Sequence, residues 1–149
     1  MSEIRFIVAK SGFLLLFLGL TLLQLFSFPG QFQHMRQTQG LSLVFEVALT
    51  LIVGLWLLCG QFALFLLWKI VGEMRDDTFY SQKNLAWIER LLLAFKTASA
   101  IPIALFVMIA PQADDPGFLV MLSIVTLFVF SLTATTSLLA DQIEMKVRS

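Results

Sequence analysis

The sequence predicts an all-α integral membrane protein, an antiparallel four-helix transmembrane bundle, and three observations carry that prediction. Four apolar stretches, at residues 6–28, 41–70, 84–110 and 117–140, occupy most of the 149 residues and leave only short polar connections. Each can cross a hydrocarbon core of roughly 30 Å, for which about 20 helical residues suffice. Hydrophobic residues make up 58% of the chain and charged residues 13%, with a mean hydropathy of +0.88. A water-soluble domain of this size needs a polar shell that ten charges of each sign cannot supply.

The first stretch follows Arg5 and Lys10 as a secretory signal would. However, the run from Ser11 to Phe28 exceeds the roughly 7 to 15 residues of a signal core, and Ser27-Phe28-Pro29-Gly30 has no small-residue pair at cleavage spacing. It is read as a retained span. Pro29-Gly30 is expected to end that helix, and Gly40 precedes the second. The second run, roughly 45 Å long as a helix, must tilt or project. Lys69, Glu73 and Arg75 favour projection around Trp68 to Met74. The third begins after Ser81, whose hydroxyl can accept from the free amides of the first turn. Further along, Pro102 deprives the Ala98 carbonyl of its usual donor, so a kink is expected. Short connections force neighbouring helices antiparallel, and residues 1–149 form one membrane domain.

Basic residues set the expected orientation. With Lys96 left out because it lies within a span, Arg5, Lys10, Lys69, Arg75, Lys83, Arg90, Lys146 and Arg148 fall on one side of an alternating bundle, and only Arg36 on the other. By the positive-inside rule both termini and the 71–83 loop are cytoplasmic. The outer connections are then 29–40 and 111–116, the latter with Asp114 and Asp115.

Several function classes are excluded. The net charge is zero and no basic run exists to follow a phosphate backbone, so direct nucleic-acid binding is not expected. Cys59 is the only cysteine, which rules out an intramolecular disulfide or CxxC centre; it is read as a small lipid- or helix-facing residue. His34, the only histidine, sits in a predicted loop and lacks partners for haem or metal, so no cofactor is expected. No Ser/His pair, HExxH or phosphate loop supports catalysis, and a non-enzyme is expected.

Ionisable residues within the spans require an explanation, because at mid-bilayer each costs at least about 2.5 to 3.5 kcal/mol. Glu89 and Arg90 lie near enough to the surface to reach water. Lys96 is about 18 Å of helix beyond Asn84 and either snorkels or meets an interior partner. On the fourth helix Ser123, Thr126, Thr133 and Ser137 form one stripe, continued by Asp141. The stripe suits close helix packing better than a solute path, and an Asp141–Arg90 pair is expected at its end. Glu46 either binds a cation or proton or, as preferred, meets headgroups, water or Arg36. Gly12 and Gly19 share a face of the first helix and permit close packing.

The segment Tyr80-Ser81-Gln82-Lys83-Asn84-Leu85, followed by Ile88 and Arg90, resembles the aromatic, Ser/Thr, two variable residues, Asn signature of the DUF2975 family of small bacterial membrane proteins. The length, the four spans and the motif's place between the second and third also fit. The resemblance implies a membrane partner of small helix-turn-helix regulators. The end of the chain, Asp141 to Ser149, departs from the acidic, Asp-Leu-Thr-rich tail of many members. The expected function is a regulatory or interaction protein of the cytoplasmic membrane that meets a cytoplasmic transcriptional regulator. Its working face is Val71 to Asn84 and the adjoining tail, with Phe79, Tyr80, Ser81, Asn84, Arg90 and Asp141 as partner-binding candidates. Glu73, Arg75, Asp76, Asp77 and Lys83 add charge beside the two aromatics. The rivals are a small solute or ion transporter or channel, using Glu46, Glu89, Lys96 and the hydroxyls of Thr126, Thr133 and Ser137, and a structural subunit of a larger membrane complex. A homo-oligomer is compatible with each.

Overall fold

The computed structural model describes residues 3–112 and 116–149. Among these, α1 (Glu3–Leu22) passes through a π-helical turn (Leu23–Ser27) into α2 (Phe28–Gln39). Then come α3 (Leu43–Arg75), α4 (Gln82–Ile109), a 3₁₀ turn (Ala110–Gln112) and α5 (Pro116–Arg148). Asp114 and Asp115 lie outside the described residues. Four continuous helical stretches, Glu3–Gln39, Leu43–Arg75, Gln82–Ile109 and Pro116–Arg148, are each long and apolar enough to cross a membrane.

The first stretch corrects the sequence expectation. Pro29-Gly30 does not end it, and residues 29–40 are not a loop: the helix runs 37 residues, roughly 55 Å. The π turn makes this possible. The Phe28 N–H reaches the Leu23 carbonyl, five residues back, so the hydrogen-bond register shifts before the proline arrives. Pro29 then lies in the first turn of α2, where an N–H is not required. His34 is accordingly helical and exposed. The real stop is Gly40, in the left-handed conformation at φ 68°, with its N–H on the Arg36 carbonyl. Two residues later Ser42 opens α3, its hydroxyl accepting from the Phe45 N–H. An Arg36–Glu46 ion pair ties the two helices across this turn.

The helices pack mainly in chain order, α1 on α3, α3 on α4 and α4 on α5. The α4 helix is central: 33% of its most apolar stretch is buried, against 6%, 11% and 6% in the others. Two apolar clusters stack along the bundle axis. One joins Leu66, Ile70, Leu85, Ile88, Leu91 and Ile143 at the end holding both termini. The other joins Phe32, Leu49, Val53, Leu105, Ile109 and Leu122 at the opposite end. The α1 helix has no buried residue and is held to α3 by polar contacts. The Gln61 amide donates to Thr21 Oγ1 at 2.8 Å and the Gln24 amide to the Gly54 carbonyl at 3.2 Å. At Gly60 the helices come close enough that a Cβ would lie 3.3 Å from Leu20 Cδ1. Gly12 and Gly19, the pair suggested by the sequence, face open space.

Pro102 lies inside α4, and the carbonyl it orphans is accounted for. The Trp56 indole N–H of α3 donates to the Ala98 carbonyl at 3.0 Å. A helix break in lipid normally has to be satisfied by neighbouring helices, and here one side chain does so. Trp56→Phe is expected to destabilise the protein by about 1 kcal/mol, and Pro102→Ala, which restores the backbone donor, should largely abolish that cost. Thermal unfolding of the four proteins of this cycle in detergent checks the coupling; an equal Trp56→Phe cost in both backgrounds would refute it.

Candidate functional site

The site is the polar end of the bundle that holds both termini, built on the connection between α3 and α4. Lipid-facing α3 has to stop and reverse within six residues, and the sequence does this with two capping devices. At the end of α3, Asp76 donates its N–H to the Gly72 carbonyl and Thr78 donates its own to Glu73. Between them Asp77 takes φ 55°, the left-handed conformation that this type of helix ending requires. The Thr78 hydroxyl also donates to the Glu73 carboxylate at 2.6 Å, and Lys83 Nζ lies 2.6 Å from its other oxygen. Glu73 sits beyond the apolar run of α3; the Lys83 ammonium, then Thr78, hold its carboxyl below the usual range.

The second device is the signature motif itself. Ser81 is the N-cap of α4, its hydroxyl accepting from the Asn84 N–H at 3.1 Å. The Asn84 side-chain amide in turn reaches back to the Phe79 carbonyl at 2.8 Å. This is a reciprocal cap in which the N3 side chain donates to a carbonyl two residues before the cap. The spacing Ser-x-x-Asn follows directly, since Ser81 and Asn84 stand one turn apart at the helix start. Asn84 is fully buried at 0% exposure, over Leu85 and Ile88 of the inner cluster. Its Oδ1 and the Trp87 indole N–H are buried without a hydrogen-bond partner among the described residues.

The aromatics divide by direction. Phe79 packs against the inner cluster, while Tyr80 is 54% exposed, edge-on to Phe79 with ring centres 5.2 Å apart. Lys146 Nζ lies 4.1 Å above the Tyr80 ring, so α5 also reaches this surface. The predicted tail is not separate from the bundle: α5 continues helically to Arg148, with an Arg148–Glu144 ion pair. Arg75 reaches Glu3 at 3.0 Å and brings the start of α1 to the same end.

Other predicted residues fall apart. Arg90 does not pair with Asp141. It lies over the Trp87 ring at 4.9 Å and lines a groove with Leu58, Cys59 and Phe62 on the α3 side, whereas Asp141 is exposed on α5. Equal depth placed them level, but rotation about the helix axes turns them apart. Glu89 and Lys96 are both exposed. Glu46 has the Arg36 partner that its neighbourhood suggested, supplied by a helix and not by a loop.

The hydroxyl stripe is likewise only partly an interface. Ser123 is exposed and donates to the Leu119 carbonyl, and Thr126 donates to Leu122. Thr133 bonds Val129 and stands 3.3 Å from Ser99 of α4, among the described residues the one cross-helix contact that the stripe makes by hydrogen bonding. Ser137 is half-buried, whereas the buried face of α5 carries Leu122, Thr136, Ala140 and Ile143. Sequence reasoning did not single out Trp56, Gln61, Gln24 or Thr21, which carry interhelical hydrogen bonds. Two glutamines inside apolar runs were a visible signal; the Trp56–Ala98 match, 42 residues apart, was not.

These features define a multi-pass helical membrane protein whose polar end is organised by a capped helix entrance. The chain belongs to the family described as "Protein of unknown function (DUF2975)", whose model matches residues 30–143. The match thus includes the whole capping motif and α3, α4 and most of α5, and begins beyond α1. No curated protein and no solved structure matches the chain.

The roles assigned to the two capping devices can be measured separately. Asn84→Ala is expected to lower stability by about 1 to 3 kcal/mol, and Asn84→Asp by at least as much because a carboxylate cannot donate to the Phe79 carbonyl. Asp77→Gly should raise stability by roughly 1 kcal/mol, since glycine adopts positive φ without the steric cost. Unfolding in detergent reads both, and a stabilised Asn84→Asp or a destabilised Asp77→Gly would contradict the assignment.

Proposed function

We propose that the protein is a non-enzymatic regulatory or interaction protein of the bacterial cytoplasmic membrane, with both termini and the α3–α4 connection in the cytoplasm. The carrying observation is the construction of the helix entrance. Ser81 and Asn84 are used internally, fixing the loop, while Tyr80 is left projecting beside Lys146. A fixed aromatic ringed by charge is a suitable anchor for a protein partner, because little conformational freedom remains to be lost on binding. Asp76, Asp77 and Lys83 are exposed around it, and Asp141 lies further along α5. The positive-inside distribution of basic residues supports this orientation. The partner is a cytoplasmic transcriptional regulator, the kind implied by the motif.

Membrane-embedded polar groups favour this reading over a solute pathway. Glu46 is neutralised by Arg36, and Ser123, Thr126 and Thr133 are engaged with carbonyls of their own helix. Purification of the full chain from its native membranes in mild detergent is expected to recover one soluble protein in stoichiometric amount. Tyr80→Ala should lower that recovery roughly tenfold or more while leaving the elution profile of the membrane protein unchanged. Recovery indifferent to Tyr80, or liposome solute flux that depends on Glu46 or Lys96, would overturn the proposal.

A further inference from the structure

The seam between α1 and α3 opens into an outward-facing groove of about 330 Å³, lined by Phe13, Leu14, Phe17, Leu64, Phe65, Trp68 and Lys69. Its walls are apolar, and its only charged lining residue is Lys69, at the end nearest the termini. Lys10 stands at the same end on the opposing helix, with its ammonium 4.5 Å from the Trp68 ring and 4.6 Å from Phe6. Lys69 likewise lies 5.4 Å from the Phe65 ring. Both cations thus lie over aromatic faces, and among the described residues neither has a carboxylate within ion-pair distance. Glu73, one turn from Lys69, is ion-paired to Lys83, and Glu3 to Arg75. The result is an apolar slot with two positive charges at its mouth, of which Lys69 also acts at longer range on the Glu73 carboxylate.

We infer that this groove binds a phospholipid with an anionic headgroup, one acyl chain lying along Phe13, Phe17 and Leu64 and the phosphate meeting Lys10 and Lys69. The division of the site matches the division of the lipid, apolar deeper in the bilayer and cationic where headgroups lie. Cations poised on aromatic rings retain their charge and their N–H donors for a phosphate. The assignment is independent of the protein-partner surface, which lies on the α3–α4 connection.

Trp68 lines the groove and serves as the reporter. The full chain is reconstituted in dioleoylphosphatidylcholine vesicles containing an equal fraction of either chain-brominated phosphatidylglycerol or chain-brominated phosphatidylcholine, and the Trp68 emission is obtained by difference from Trp68→Phe. The anionic lipid is expected to quench Trp68 preferentially, each lysine contributing a roughly fivefold preference. Lys10→Gln with Lys69→Gln should equalise the two lipids, and exposed Lys69→Gln alone should remove roughly one such factor. Lys96→Gln, on α4 and away from the groove, should keep the full preference. Equal quenching in the unaltered chain, a preference that survives the double substitution, or a Trp68 that neither lipid reaches because a second copy covers the groove would each overturn the inference.

Discussion

A bilayer interior offers the backbone no water, so every amide or carbonyl that loses its helical partner must find another inside the protein. Much of the irregular detail in this chain answers that requirement. Its two helix-interrupting prolines are handled in different ways. Ahead of Pro29 the helix changes register through a π turn, and α1 and α2 remain one stretch. At Pro102 the helix keeps its register, and a tryptophan from α3 supplies the missing donor to Ala98. In the first case the solution is local; in the second it depends on how two helices pack.

The same requirement shapes the polar end. A turn of six residues between two long helices exposes orphan groups on both, and they are satisfied by Thr78, Ser81, Asn84 and the left-handed Asp77. Once those groups are engaged, the residues left facing outward are Tyr80, Lys146 and the surrounding charges. The family motif therefore has two kinds of member. Serine and asparagine build the entrance, and the aromatic position before them is displayed by it.

The central position of α4 does not bring the charges of this span inside the bundle. Its buried face is apolar apart from Asn84 and Ser99, and Glu89, Arg90 and Lys96 occupy the exposed remainder. Arg90 is further accommodated by the Trp87 ring. Peripheral α1 contrasts with it. Having no buried residue, α1 is attached through Thr21, the close approach at Gly60, the Glu3–Arg75 ion pair and Lys10 over Trp68, with Gln24 of the π turn adding one more contact. The family match begins after this helix, at residue 30.

Hydropathy alone determined that four helices are long and apolar enough to cross a membrane, because a helix of that length and composition satisfies its own backbone in lipid. Local rules likewise determined the Ser81 cap and the orphan at Ala98, since both depend on residues within one turn. What local rules misjudged was Pro29, where a register shift in the preceding turn removed the clash that normally ends a helix. Tertiary structure alone decided that Trp56 meets Ala98, that Gln61 meets Thr21, and that Arg90 and Asp141 face apart. Depth in the bilayer follows from residue number. Facing direction follows from how each helix is rotated about its axis, and that rotation is set jointly by the packing of the neighbouring helices.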